Sequence, residues 1–234
     1  MIPSFLRMLS LIICSRRCAG CGRKDAVLCN SCMQYFDDSY TRDIAPTLRV
    51  LSCARYQGPV RQAILSWKDH GDEELDLLFA SLLAVRCVDA IEHYDEEVSW
   101  CICIVPAPSS QSSLRRRGRA HMHNVAQFIS RMMNAYSRAY GLAWSAHVCD
   151  AVGMTPQVHK AVTANDRHNR LHRLDKGLRL CATHSMAHAQ VILIDDIVTT
   201  GSTMRACIRF LRSHHAQIVA ACCLADVREQ NADA

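Results

Sequence analysis

Uninterrupted apolar runs alternate along the chain with stretches whose apolar residues recur every three or four positions. Residues 48–56 read as a strand ending in the turn Gln57-Gly58-Pro59. Residues 59–69 and 73–90 carry helical spacing. The run WCICIV, residues 100–105, is stopped by Pro106 and Pro108 and has the character of a strand buried on both faces. A helix is expected over 119–138, a second buried strand over 191–197, a helix over 201–214 and a last strand over 217–225. Strands alternating with helices predict an α/β fold with a mostly parallel sheet covered on both faces. No internal repeat or low-complexity tract interrupts the pattern.

The N-terminal part does not follow it. Residues 15–45 are polar, turn-rich and rich in cysteine, and they end near Pro46. A boundary is placed there, with a small module over 1–45, an α/β domain over 46–234, and a core in the domain separate from the module. The opening IPSFLRMLSLIIC sets Phe5, Leu6, Leu9, Ile12 and Ile13 at helical spacing and reads as a docking helix, with a membrane-surface helix as the alternative. It is too short to span a bilayer, contains Arg7 and lacks a clear small-residue cleavage site, so no export signal is expected.

Composition narrows the class. With 234 residues, 50% hydrophobic and 21% charged, the chain can bury a core and is not of disordered type. The net charge of +5 is carried by arginine, since lysine occurs only 4 times. Arginine suits phosphate in a nucleotide or a nucleic acid, but a charge of this size is ordinary for an enzyme and does not choose between them. The 14 cysteines would suggest a disulfide scaffold in a secreted chain. Without an export signal a reducing cytoplasm is expected. Cys14, Cys101, Cys103, Cys222 and Cys223 then read as small apolar side chains.

Cys18, Cys21, Cys29 and Cys32 form C-x2-C-x7-C-x2-C. Each CxxC pair can place two thiolates on one tight turn, and two facing turns make a tetrahedral sulfur cage suited to zinc. Four thiolates leave no position for water, so such a zinc is structural. Reduced cysteines in a loop, or a redox CxxC pair, are the alternatives.

A second constellation begins in the strand Val191 to Ile194. Asp195 and Asp196 follow at its carboxyl end, and Thr199, Thr200, Gly201, Ser202 and Thr203 lead into a helix. In an open parallel sheet, ligands bind at the carboxyl ends of strands. A loop opening into a helix presents unpaired N–H groups and the positive end of the helix dipole to an anion. The hydroxyls add donors, and Gly201 allows close approach. The two acids repel phosphate and suit ribose hydroxyls or a magnesium ion. Ordinary Ser/Thr capping explains the threonines but not the paired acids.

DDIVTTGST resembles the ribose-phosphate signature of type I phosphoribosyltransferases. The wider chain resembles the ComF/GntX family of bacterial competence-associated proteins: the cysteine knuckle, YQGPVRQAILSWKDHGD at 56–72, VPAP at 105–108, RRRG at 115–118 and PQVHKAVTANDRHNRL at 156–171. The resemblance implies a type I phosphoribosyltransferase-like, Rossmann-like sheet with a small N-terminal zinc module. It implies that Asp195 and Asp196 hold ribose hydroxyls and that residues 199–203 cradle the 5-phosphate. Val105 to Pro108 would end at the pyrophosphate loop, and Arg115, Arg116 and Arg117 on the following loop, with Arg167 on a segment resembling the mobile hood loop, could meet pyrophosphate. Lys68 matches a family lysine. The chain departs from the family where RRRG continues with Arg119, Ala120 and His121 instead of Phe-Asn-Gln, and where Cys53 stands without a second CxxC. His121 and His123, two apart on a helix, diverge and are read as surface histidines.

The ligand implied is phosphoribosyl pyrophosphate with magnesium, or ribose 5-phosphate. Three functions follow: a factor supporting natural transformation, an active glycosyltransferase of nucleotide salvage, or a non-catalytic protein binding single-stranded DNA or competence and recombination partners. No base-specific pocket is legible.

Overall fold

The computed structural model describes residues 16–24, 26–37, 40–45, 48–94, 96–98, 100–155, 177–181 and 185–227. The expected N-terminal helix and the segment 156–171, with Arg167, lie outside the described residues.

The main sheet contains β1 (Tyr40–Ala45), β2 (Leu48–Arg55), β3 (Cys101–Pro106), β4 (Ser145–Val148), β7 (Gln190–Val198) and β8 (Gln217–Asp226). Its order is β1-β2-β8-β7-β3-β4. Only the β1–β2 pair is antiparallel; the other neighbours run parallel. A separate two-stranded antiparallel sheet pairs β5 (Val152–Met154) with β6 (Leu178–Leu180). The parallel α/β architecture expected from the alternating pattern is present.

One face of the sheet carries α2 (Gly58–Asp69), α3 (Leu75–Glu92) and α5 (His121–Ala139). On α5, Met122, Val125, Ala126, Ile129 and Met133 repeat at helical spacing and are buried with Ile102, Ile104, Ile192 and Ile194 of the sheet. The opposite face carries α6 (Ser202–Ser213), whose Met204, Cys207, Ile208 and Leu211 pack on Val191, Leu193 and Cys223. Strands β3 and β7 therefore show apolar residues to both layers, which is why their sequences are continuous apolar runs.

Several expectations change. The cysteine turns lead into α1 (Asn30–Met33) and a 3-10 turn at Gln34–Phe36. Cys18, Leu28, Cys29, Cys32 and Phe36 belong to the same buried cluster as Trp67, Phe79 and Leu83, so the module has no core separate from the domain. Tyr40–Ala45, assigned from the sequence to that module, is the edge strand of the main sheet. The run Arg115 to Arg117 is not a loop: it forms the last turn of α4 (Gln111–Arg117), started by Ser110, whose hydroxyl accepts from Ser113 N–H, and ended by Gly118 at φ 71°. Cys103, Cys222 and Cys223 are buried as expected, but Cys101 is exposed, with its sulfur 3.3 Å from His147 Nδ1 at the start of a strand beside the sheet edge.

Candidate functional site

The parallel strands deliver their carboxyl ends to one side of the sheet. β7 runs on through both acids, so Asp195 and Asp196 lie within its last turn of pleat and not after it. The two are not equivalent. Asp196 is buried, and its Oδ2 accepts from Lys68 Nζ at 2.6 Å and pairs with His121 Nε2 at 2.8 Å. Asp195 is half-buried, and its Oδ1 accepts the N–H of Asp196 at 2.8 Å. Burial alone would raise the Asp196 carboxyl, but the hydrogen bond from His121 and the Lys68 charge outweigh it and hold Asp196 below the usual carboxylate range. Burial and the neighbouring Asp196 charge push Asp195 above that range.

His121 corrects the surface assignment. It is 1% exposed, stands edge-on to Trp67 with ring centroids 4.7 Å apart, and reaches Asp196 from the first residue of α5. His123 does point outward, where its Nδ1 lies 2.9 Å from Asp150 Oδ1. Lys68 comes from the last turn of α2, and Trp67 beside it is fully buried, its indole N–H donating to Asp76 at 2.5 Å. Arg119 gives Asp76 two further bonds, at 2.9 and 2.8 Å, and donates to the Trp67 carbonyl at 3.3 Å. Arg119, with His121 against Trp67, thus ties α2, α3 and the start of α5 together beneath the acids.

Beyond β7 the chain turns through Thr199 and Thr200, both exposed, to Gly201. Gly201 caps α6 at φ 73°, a left-handed conformation that side chains rarely adopt. A Cβ there would also lie 3.2 Å from Arg205 Nη1 and 3.3 Å from Arg42 Nη2. Within the turn, Thr200 Oγ1 donates to Ser202 Oγ at 3.1 Å and accepts the Ser202 N–H at 3.4 Å. The first N–H groups of α6 have no acceptor within the helix and face the turn. Two arginines that the motif did not reveal close on its carbonyls: Arg42 donates to Thr199 O at 2.9 Å and Arg205 to Thr200 O at 2.6 Å. Burial, with Arg42 and Arg209 nearby, lowers Arg205 from its ordinary value.

β3 ends beside the acids, with the Ala107 N–H bonded to Ile194 O at 2.8 Å. A cleft of about 270 Å³ opens there, lined among others by Ala107, Pro108, His123, Asp150 and Arg179. Arg117 does not line it; it is half-buried and faces Asp69 at 3.7 Å, with Arg116 at 3.5 Å from the same carboxylate. Arg115 is exposed.

The four module cysteines converge. Their sulfurs lie within 4.8 Å of one another, with Cys21 and Cys29 3.7 Å apart, close to the edge of a tetrahedron with metal–sulfur bonds of about 2.3 Å. The Cys29 N–H points at Cys18 Sγ from 3.3 Å. Gly20 is required where the first turn meets the second, because a Cβ there would lie 2.9 Å from Cys32 Sγ. The donor set is all sulfur and closed, and it fits a structural metal. Among the described residues this is the cluster able to hold one, and no helix is long and apolar enough to cross a membrane.

A family model described as a phosphoribosyl transferase domain matches residues 145–233, the stretch containing β7, the Gly201 turn and α6. No curated protein sequence matches the chain. Among solved structures, a mutant hypoxanthine phosphoribosyltransferase from Trypanosoma cruzi is similar at 13% identity and TM-score 0.40 over 69% of this chain and 73% of that one. The hypoxanthine phosphoribosyltransferase of Staphylococcus aureus is similar at 14% identity and TM-score 0.34, over 69% and 70% of the two chains. A hypoxanthine-guanine phosphoribosyltransferase of Bacillus anthracis gives 12% and 0.34, over 66% and 67%. Likeness at this level transfers no residue roles. Residues 145–233 are thus similar to a phosphoribosyltransferase domain and form part of a mostly parallel α/β sheet, with a four-cysteine cluster packed against it.

Proposed function

We propose that the protein binds a 5-phosphorylated ribose, as phosphoribosyl pyrophosphate with magnesium or as ribose 5-phosphate, at the turn after β7. The observation that carries this is Gly201: a left-handed residue at the mouth of α6, flanked by Thr199, Thr200, Ser202 and Thr203, inside the segment that matches the family. The phosphate takes the N–H and hydroxyl donors of the turn. Asp195, the less buried acid, would meet ribose hydroxyls in this reading, supported by Asp196 being already held by Lys68 and His121. Magnesium, when bound with the diphosphate, supplies charge neutralisation at the leaving group. Arg117 faces Asp69 and would have to leave it to meet a diphosphate; Arg167 keeps that role only on the motif resemblance. The supported chemistry is displacement of pyrophosphate from the anomeric carbon by a nitrogen nucleophile, which the protein assists by positioning and by electrostatics.

The cysteine cluster binds one structural zinc in this reading. The resemblance of the knuckle, YQGPVR and RRRG segments to the ComF/GntX family supports a cytoplasmic role in natural transformation, with single-stranded DNA or recombination proteins as partners. Titration of phosphoribosyl pyrophosphate into the protein with and without magnesium, followed by pyrophosphate release on adding candidate bases, tests the site. Magnesium-dependent binding is expected. Folded protein that binds neither phosphoribosyl pyrophosphate nor ribose 5-phosphate would overturn it. The cellular role predicts a deletion strain that takes up DNA but yields few transformants; normal transformation in a competent strain would remove it.

A further inference from the structure

We infer that Arg42 and Arg205 are positioning residues that hold the phosphate turn in its binding conformation from behind; this rests on the sugar-phosphate reading above. A carbonyl oxygen and the following N–H belong to one planar trans unit and point in opposite directions. The Thr199 carbonyl is held by Arg42 Nη2 at 2.9 Å, which sends the Thr200 N–H the other way. The Thr200 carbonyl is held by Arg205 Nη2 at 2.6 Å, which does the same for the Gly201 N–H. Two successive N–H groups are thereby turned away from the arginines. Successive N–H groups aimed to one side form a concave anion site.

Both guanidiniums are themselves fixed. Arg42 also pairs with buried Asp226 at 3.0 Å and donates to Val227 O at 3.3 Å, so it joins the ends of β7 and β8. Arg205 lies one turn into α6, beside Gly201. Arg42 sits on β1, outside the segment that matches the family. The edge strand that the chain adds to the sheet therefore brings a residue to the phosphate turn. A Cβ at position 201 would press on both guanidiniums, at 3.2 and 3.3 Å, which gives the glycine a second reason to be there.

Calorimetry with ribose 5-phosphate tests the inference on wild type, Arg42→Gln, Arg205→Gln and Arg205→Lys, with Arg49→Gln as a control on the same hairpin, and thermal unfolding run on each. Loss of binding by fivefold or more in each glutamine variant is expected, with Arg205→Lys intermediate and Arg49→Gln unchanged. Arg205→Gln carries the result should Arg42→Gln fail to fold. Wild type that is folded but does not bind refutes the sugar-phosphate reading itself. Wild type that binds, with folded glutamine variants within twofold of it, refutes the brace alone. A salt dependence that flattens in the variants would show the guanidiniums touching phosphate directly, which also overturns a positioning role.

Discussion

Two adjacent aspartates at the end of an apolar strand invite a single role, and the side chains around them assign two. Asp196 is held below the ordinary range, so its contribution to stability is present above the ordinary carboxyl pKa and lost as pH falls through its folded value. Asp195 is raised, so its favourable neutral form is lost as pH rises through its folded value, which lies above the ordinary range. Asp196→Asn should therefore destabilise the protein at neutral pH by about 3 kcal/mol, because it leaves the Lys68 ammonium buried without its anion, and the gap should close in acid. Asp195→Asn should stabilise the free protein at pH values above the folded Asp195 pKa, and that gain should fade on acidification. Thermal unfolding of both variants over about pH 2 to 9 reads both slopes, Asp196 in the acid half and Asp195 in the upper half; parallel pH profiles would contradict the division. The aspartates were legible in the sequence, but His121 was not. The spacing argument correctly sends His121 and His123 in different directions, yet only the tertiary position of the first turn of α5 says which one goes inside.

Among the elements, the residues just after the short helix α4 join three helices to one another. Arg119 makes a two-pronged bond to buried Asp76, which also accepts from Trp67, and so joins the start of α5 to α2 and α3. Arg119→Met should cost about 3 kcal/mol of stability in denaturant unfolding, since it leaves a buried carboxylate with one neutral donor. A loss below about 0.5 kcal/mol would show the pair to be no more than a surface contact. The cysteine knuckle was readable from spacing alone, because four sulfurs at those intervals have few other uses. Its relation to the domain was not readable, because a packing surface leaves no periodic signal in a turn-rich stretch. Since Phe36 and Cys32 are buried with Trp67 and Phe79, one zinc per chain is expected by metal analysis, and chelation should lower the unfolding midpoint of the whole domain by about 5 °C or more. Loss of metal with an unchanged midpoint would mean that the knuckle is only attached.

The molecule as a whole follows from a simple rule: parallel strands end on one side, and loops at that side bind. The continuous apolar runs at 101–106 and 191–194 made the central strands legible, since strands covered on both faces cannot alternate. The amphipathic β1 strand and the arginine it brings were not, because Arg42 meets the Gly201 turn across 157 residues of sequence. The Gly201 turn is where sequence motif, backbone conformation and family match coincide. Calorimetric titration of ribose 5-phosphate into wild type and Gly201→Val is the direct test. A valine there is strained by the left-handed backbone at φ 73° and presses on Arg42 and Arg205, so the donors are expected to lose their common direction. Wild type should bind, and folded Gly201→Val should bind at least about tenfold more weakly, the loss of one charge-assisted hydrogen bond or more. Equal binding by the two proteins, or no binding by folded wild type, would mean that the turn is a helix cap and not a sugar-phosphate site.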